Sequence, residues 1–541
     1  MRTDTLRSYG LVALMGLVLF LPYLGRVHLF DWDEINFAEA AREMIVTGDY
    51  TTVQIDFQPF WEKPPLFIWL QAASMNVFGV NEYAARLPNA LVGVATLLVL
   101  FGIARASGKD TAGWWAVLLF VGSYLSHFYS KSALIDPLFN VLMFVSIYYL
   151  ARYFDERFYK HIFISGLLAG LAVLTKGPAA ILIIWLTGLA FVLWKRALHE
   201  RLPVAAIIWI VCSLLFAGLW FGLITLQHGS WLVRDFVNYQ IRLLTTPDAG
   251  HSGFLFYHWV VLLIGMFPAS VFFISWFFSK RKPLRDQEKS FTAFAVISFF
   301  VVLILFTLVK TKIVHYSSFC YLPMCYVGGL FLANKEFVYK RLKFGLRVAL
   351  LFGISSVSLA TVGMIYVGQH AVDFIPYVND AFAQGNLTAL VEWGSWLFVV
   401  PVLMILISAF VLFFLKEPAL KQMAYLLGFN AIFLELLMLF VVPKVEAHSQ
   451  RAAIEFFKSK QGENADVIVY GYKSFAHLFY TQKQPVGRQP DSDFLINKPV
   501  SRPLYIVTRV DRSEALKTNP DLEFIYGKNG FEFYRKLPLR K

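Results

Sequence analysis

Long apolar runs recur along most of the chain, and many reach the roughly 20 residues needed to cross a hydrocarbon core of about 30 Å. Ile181–Trp194 and Leu397–Leu415 are apolar nearly all round. Barrel strands are short and alternate in polarity, so these runs predict helices. The pattern predicts about thirteen spans, near 9–27, 86–105, 112–128, 133–151, 161–175, 177–194, 203–225, 256–279, 290–309, 313–333, 345–367, 395–416 and 421–443. The expected fold is therefore an all-α polytopic membrane protein.

Two stretches break that rhythm. Residues 28–85 mix Trp, Phe, acids and prolines, with a helical pattern over Glu34–Thr47 and another after Pro65. Both are too short to span and suit helices lying in the membrane interface. From about residue 444 the character changes again. Asp466–Tyr470 and Pro503–Thr508 read as buried strands, and Arg451–Lys458 and Lys473–Tyr480 as helices. The chain thus divides into a transmembrane domain over 1–443 and a small C-terminal α/β domain over 444–541.

Composition agrees. Charged residues make up only 16% of the chain, where a soluble protein carries roughly a quarter. The net charge of +13 does not point to nucleic acid, because the basic residues sit in short loops between apolar runs. If the N-terminus is cytoplasmic, the loops Arg105–Lys109, Arg152–Lys160, Lys195–Arg201, Lys280–Lys289, Lys335–Lys343 and Lys416–Lys421 all fall in the cytoplasm. That satisfies the positive-inside rule. It places the 28–85 loop and the C-terminal domain on the outer face of the membrane. Cys212, Cys320 and Cys325 all lie within apolar runs and suggest neither a disulfide framework nor a zinc knuckle. The run Leu11–Leu24 follows Arg2 and Arg7 without a small-x-small cleavage pattern, and reads as a retained first helix.

The ionisable residues gather on that outer side. Asp31-Trp32-Asp33-Glu34 is followed by Glu39, Arg42 and Glu43, then Trp61-Glu62-Lys63-Pro64-Pro65. Asp136-Pro137 opens the fourth span, Lys176-Gly177-Pro178 separates the fifth and sixth, and Arg242 and His251 lie in the next outer loop. Lys310-Thr311-Lys312 and His315-Tyr316 complete the set. Ionisable groups at membrane depth are expensive and usually functional. Lysines and arginines at that boundary suit an anionic headgroup, and a carboxylate among them suits a general base.

Asp33-Glu34-x-x-Phe37-Ala38-Glu39-x-x-Arg42-Glu43-Met44, followed by Glu62-Lys63-Pro64-Pro65-Leu66, resembles the lipid-linked-sugar glycosyltransferases of the C-type fold. The nearest branch resembles the aminoarabinose transferases of lipid A, with bacterial protein O-mannosyltransferases as relatives. Asp136, Thr175-Lys176-Gly177-Pro178, Arg242, His251 and Lys310-x-Lys312-x-x-x-Tyr316 extend the match. The resemblance implies transfer of one sugar from a polyprenyl phosphate, with inversion, to a lipid, protein or glycan acceptor. It implies Asp33 as catalytic carboxylate and Lys63 as its neighbour at the donor. Asp136 would support the site, while Lys310, Lys312, Arg242 and Tyr316 would bind the donor phosphate. Glu34, Glu39, Arg42 and Lys176 would brace it. In the aminoarabinose branch an acid–histidine pair binds zinc, and those positions fall on Glu62 and His251. The chain departs from the family at Asn36 and Phe37, where Arg and Tyr are common, and at Asn238-Tyr239, where Glu-His is.

Simpler readings compete. An acid at the head of a helix also caps it, and Asp31 sits better for that than Asp33. Glu39, Arg42 and Glu43 divide between a solvated helix face and support of the site. Lys176 reads as a snorkelling side chain at a helix end. His127, His228 and His258 read as packing histidines, whereas His315 is evenly placed between packing and the site. A transporter or flippase of a lipid-linked sugar is the alternative function. It would share the cationic cavity, would need no base, and often shows paired halves, which this sequence lacks.

Overall fold

The structure, a computed structural model, describes residues 2–107, 110–246, 253–279, 286–334, 342–485 and 492–538. Helix α1 (Arg2–Phe20) leads into the first long loop. That loop carries α2 (Asp33–Thr47), a two-stranded hairpin of β1 (Gln54–Ile55) and β2 (Gln58–Pro59), and α3 (Leu66–Phe78). The bundle continues with α4 (Glu82–Ser107), α5 (Asp110–Val121), α6 (Tyr124–Ser130), α7 (Asp136–Glu156), α8 (Tyr159–Lys176), α9 (Ala179–Lys195) and α10 (Leu202–His228). Then come α11 (Trp231–Thr245), α12 (Tyr257–Gly265), α13 (Ala269–Phe277), α14 (Asp286–Leu308), a 3-10 turn over Val314–Cys320 and α15 (Tyr321–Leu332). Three further apolar helices or helix pairs follow, over Phe344–Gln369, Ser395–Phe414 and Ala419–Ser449.

Among the described residues seven helices are long and apolar enough to cross a membrane, or eight if the bent pair α12–α13 counts as one. Each of the thirteen expected runs holds helix, but several are not single rods. The run at 112–128 breaks at Gly122–Ser123, where Asn430 reaches in to donate to the Gly122 carbonyl. The run at 256–279 bends by 110° between α12 and α13, where Pro268 lacks the N–H that would continue the ladder. The run at 313–333 starts as a 3-10 turn. Hydropathy sees the apolar character of such segments but not these breaks, which depend on tertiary partners.

After Arg451–Ser459, the C-terminal unit is a four-stranded sheet in the order β3-β4-β6-β5, from Asp466–Tyr470, Leu504–Arg509, Phe531–Lys536 and Glu523–Lys528. β3 and β4 are parallel and the others antiparallel. One buried apolar cluster joins this unit to the first long loop. Leu29, Ile35, Phe37 and Phe67 pack in the same core as Phe456, Phe457, Leu478, Tyr480 and Phe533. Sequence alone suggests a separate domain after 444, but the two segments share one core.

Candidate functional site

Asp33 is the first residue of α2, and Asp136 the first of α7, where Pro137 at the next position is pre-set for a helix start. Both carboxylates therefore sit at the positive end of a helix dipole. Lys176 ends α8, where a cation is favoured for the same reason. Gly177, at φ +118°, stops that helix and lets Phe236 of α11 close over it.

These termini converge. The Lys176 ammonium donates to Asp136 Oδ1 and lies 5.1 Å from the ring centre of Tyr316 and 5.7 Å from that of Phe139. Ser318 Oγ donates to the same Asp136 oxygen at 3.4 Å, while Asn140 donates to Ser318 at 2.8 Å. Lys176 is thus an ion-pair partner rather than a snorkelling side chain. His315 lies between the two acids. Its Nε2 is 3.4 Å from Asp33 Oδ2, and its charge and that of Lys63 also reach Asp136. The His315 ring stands 5.5 Å from Tyr316 and 6.5 Å from Tyr129. Tyr129, which faces His315, also lines a small cavity of about 20 Å³ together with Pro137, Asn140 and Tyr321.

The cations form a second layer. Lys63 Nζ lies 5.5 Å from the ring centre of Tyr239, and the Arg242 guanidinium 5.2 Å from the same ring. Tyr239 is one of the positions where the chain departs from the transferases it resembles, and here two cations lie near its ring. Thr311 donates to the Thr246 carbonyl at 2.9 Å, which ties the Lys310–Lys312 segment to the end of α11. Lys310 is exposed. Lys312 is buried and donates to the carbonyls of Phe306 and Thr307, both at 2.8 Å, at the end of α14.

The other expected members stand apart. Glu34 is buried and fully engaged. It pairs with Arg86 through two hydrogen bonds of 2.7 and 2.9 Å and accepts from the backbone N–H groups of Phe30 and Ala133. Arg86 also donates to the carbonyls of Leu24, Val27 and His28, so this pair fastens the chain just before Asp33. Glu39 and Arg42 form a buried two-bond pair on α2. Glu43 accepts from the N–H groups of Asp56 and Phe57 and so anchors the β1–β2 turn. None of the three lies on a solvated face.

Asp31 does not cap α2. Its carboxylate accepts from the neighbouring N–H of Trp32, and the helix head has no side-chain cap. His127, His228 and His258 do pack against internal partners: Glu435, Thr52 and Ser317 respectively. Sequence reading missed the ion pair between Lys131 and Glu435. It also passed over Trp32, which holds φ +76° and ψ −105°. For a bulky residue that backbone costs on the order of 1–3 kcal/mol and persists only where its surroundings hold it.

No group of three or more His, Cys, Asp or Glu side chains among the described residues could hold a metal ion. His251 lies outside the described residues, which leaves Glu62 as the one described donor of the expected pair.

Comparison with known proteins bears on the fold and the family. A family profile described as dolichyl-phosphate-mannose-protein mannosyltransferase matches residues 62–224. An undecaprenyl phosphate-alpha-4-amino-4-deoxy-L-arabinose arabinosyl transferase of Shewanella sediminis is 25% identical over 71% of this chain and 70% of its own. A counterpart from Pseudomonas aeruginosa is 25% identical over 66% of this chain and 65% of its own. The crystal structure of ArnT from Cupriavidus metallidurans bound to undecaprenyl phosphate superposes with a TM-score of 0.78 at 18% identity, covering 97% of both chains. The chain shares that membrane fold and resembles these transferases.

Proposed function

We propose that this protein is an integral membrane glycosyltransferase that moves a single sugar from a polyprenyl phosphate to an acceptor at the outer face of a bacterial inner membrane. The observation that carries the reading is the placement of Asp33. It is a partly exposed carboxylate at a helix head, 3.4 Å from His315, a ring that also feels Asp136, Lys176 and Lys63. The names of the matched transferases supply the donor class.

In this mechanism the donor phosphate lies against Lys63, Arg242 and Lys310, with Tyr316 and Lys312 beside it. Asp33 takes the proton of the acceptor nucleophile as that oxygen attacks the anomeric carbon from the side opposite the phosphate. The bond from sugar to phosphate oxygen breaks, the configuration inverts, and the polyprenyl phosphate leaves with its charge held by the cations. Asp136 holds Lys176 beside Tyr316. Glu34, Glu39 and Arg42 hold the loop from behind. The acceptor is a lipid, a protein or a glycan.

The full topology of about thirteen spans, with a cytoplasmic N-terminus and the C-terminal α/β unit in the periplasm, belongs to the same proposal. It rests on the basic loops and on the helix in every expected run. A transporter would have no use for a base poised at the cations. The test is transfer of labelled sugar from polyprenyl-phosphate monosaccharides into a membrane extract, comparing wild type with Asp33→Asn. Label passing to an acceptor with wild type alone supports transfer. Equal donor binding with no transfer in either protein would favour transport.

A further inference from the structure

The chain reaches Asp33 through a turn that the C-terminal unit grips. The Leu29 N–H donates to Tyr480 Oη at 2.8 Å. Gln450 spans the turn, its amide donating to the Leu29 carbonyl at 2.8 Å and its oxygen accepting from the Asp31 N–H at 3.2 Å. The Asp31 carboxyl faces the Ser474 hydroxyl, and burial holds its pKa above the ordinary range. Lys473 places its ammonium 5.4 Å from the Trp32 ring centre. Trp32 itself keeps the positive φ and is exposed. These contacts fall on Leu29, Asp31 and Trp32, and all come from residues 450–480. The apolar core shared by the two segments makes the grip rigid.

Packing alone does not explain Trp32. A bulky, exposed side chain contributes little by burial, and glycine would hold this backbone at lower cost. A turn held away from its relaxed shape by a separate part of the chain fixes the direction in which the next residue, Asp33, leaves it. Such placement matters for a base, because proton transfer needs hydrogen-bond reach to the nucleophile, and misplacement by about 1 Å can cost on the order of a hundredfold in rate.

We propose that the C-terminal unit is part of the transfer machinery: Gln450, Lys473 and Ser474 are positioning residues that hold the Asp31–Trp32 turn and so aim Asp33 at the acceptor. The inference rests on Asp33 being the base. It predicts that loosening the turn lowers kcat while leaving donor binding alone, since the cations that hold the phosphate lie on other segments.

The experiment uses the full chain in detergent. Transfer from a polyprenyl-phosphate monosaccharide and binding of undecaprenyl phosphate are measured for wild type, Asp33→Asn, Gln450→Ala with Ser474→Ala, Ser474→Thr, Lys473→Ala and Trp32→Gly. The double variant is expected to lose at least tenfold in kcat, with donor KM and undecaprenyl phosphate Kd within twofold of wild type. Ser474→Thr keeps the hydroxyl and should retain most of the rate. Trp32→Gly is the sharpest arm, because it relieves the backbone. Its melting temperature should hold or rise while its kcat falls at least fivefold, a pairing that a merely structural role would not give. Lys473→Ala changes an exposed residue, folds without difficulty, and should lose a few-fold in kcat.

Wild-type kcat in the double variant and in Trp32→Gly, with Asp33→Asn inactive, would overturn the positioning role and leave the transferase reading standing. Loss of donor binding in parallel with kcat would also overturn it. No transfer by wild type to any acceptor would instead remove the reading on which the inference rests.

Discussion

Asp33 and Glu34 are adjacent acids in one turn of chain, and the structure surrounds them in opposite ways. Glu34 is surrounded by donors: two nitrogens of Arg86 and the N–H groups of Phe30 and Ala133. Its side chain is 4% exposed, against 34% for Asp33, whose contact is the 3.4 Å approach of His315. A carboxylate with its lone pairs filled holds structure, whereas one with lone pairs left open can take a proton. Burial and charge pairing alone do not mark a catalytic acid. What marks it is unused acceptor capacity facing a space that a substrate can enter.

The comparison is broken most directly at Asp33. Asparagine there keeps the shape and removes the base, so transfer should fall by roughly 10²- to 10⁴-fold. Thermal stability and undecaprenyl phosphate binding should stay near wild type. The matching change, Glu34→Gln, should do the reverse. It leaves the Arg86 guanidinium buried without its counter-charge, which costs about 3–5 kcal/mol. A melting curve in detergent reads that loss, and the protein that remains folded should keep its affinity for the donor. If Glu34→Gln were stable but inactive, the division between the two acids would be wrong.

Lys63 sharpens the same division from the cation side. It is placed over Tyr239 and its charge reaches Asp136. A hydrogen bond to a charged group is worth about 1.5–3 kcal/mol, so Lys63→Ala should weaken undecaprenyl phosphate binding by roughly 10- to 150-fold. Isothermal titration of the detergent-solubilised protein checks this. An unchanged Kd would remove Lys63 from the phosphate site.

Much of this was legible in the chain. The cluster of Asp33, Lys63, Asp136 and Lys176 stands out because each is an ionisable residue at the end of an apolar run, and all fall on one face. The signal does not separate neighbours. Glu34 and Asp33 look alike until Arg86, 52 positions further on, is brought to one of them. Lys131 and Glu435, 304 positions apart, are equally invisible as a pair. The same limit hid the shared core of the first loop and the C-terminal unit, because hydropathy reports that a residue is buried but not against which partner.

A titration separates structural from catalytic acids more gently. Burial, reinforced by the neighbouring charge of Glu39, pushes the Glu43 carboxyl up to about 9 from an ordinary 4.5. The folded state therefore holds this proton more tightly than the unfolded chain. The stability it contributes is full below about pH 4.5 and is lost as pH rises towards 9. Wild type should melt at progressively lower temperature from pH 5 to 9, and Glu43→Gln should flatten that slope. The variant starts from a lower melting temperature, because its amide nitrogen replaces an oxygen that accepts from the 56–57 backbone. Equal slopes in the two proteins would place the pH dependence elsewhere.

The smallest effect should come from the far edge of the C-terminal unit. Strands β5 and β6 were missed in the sequence although Asn529-Gly530, a strong hairpin signal, lies between them. Both residues hold positive φ, +51° and +82°. A Cβ added to Gly530 would stand 2.7 Å from the Phe382 carbonyl oxygen. Gly530→Ala should therefore cost about 1–3 kcal/mol, read as a modest fall in melting temperature. This turn rests on the 381–387 helix rather than on the residues that grip Asp31 and Trp32, so kcat should not move. If Gly530→Ala lowered kcat as much as the Gln450 and Ser474 changes, the C-terminal unit would act on Asp33 through its overall stability. An unchanged kcat would localise that action to the grip on the turn.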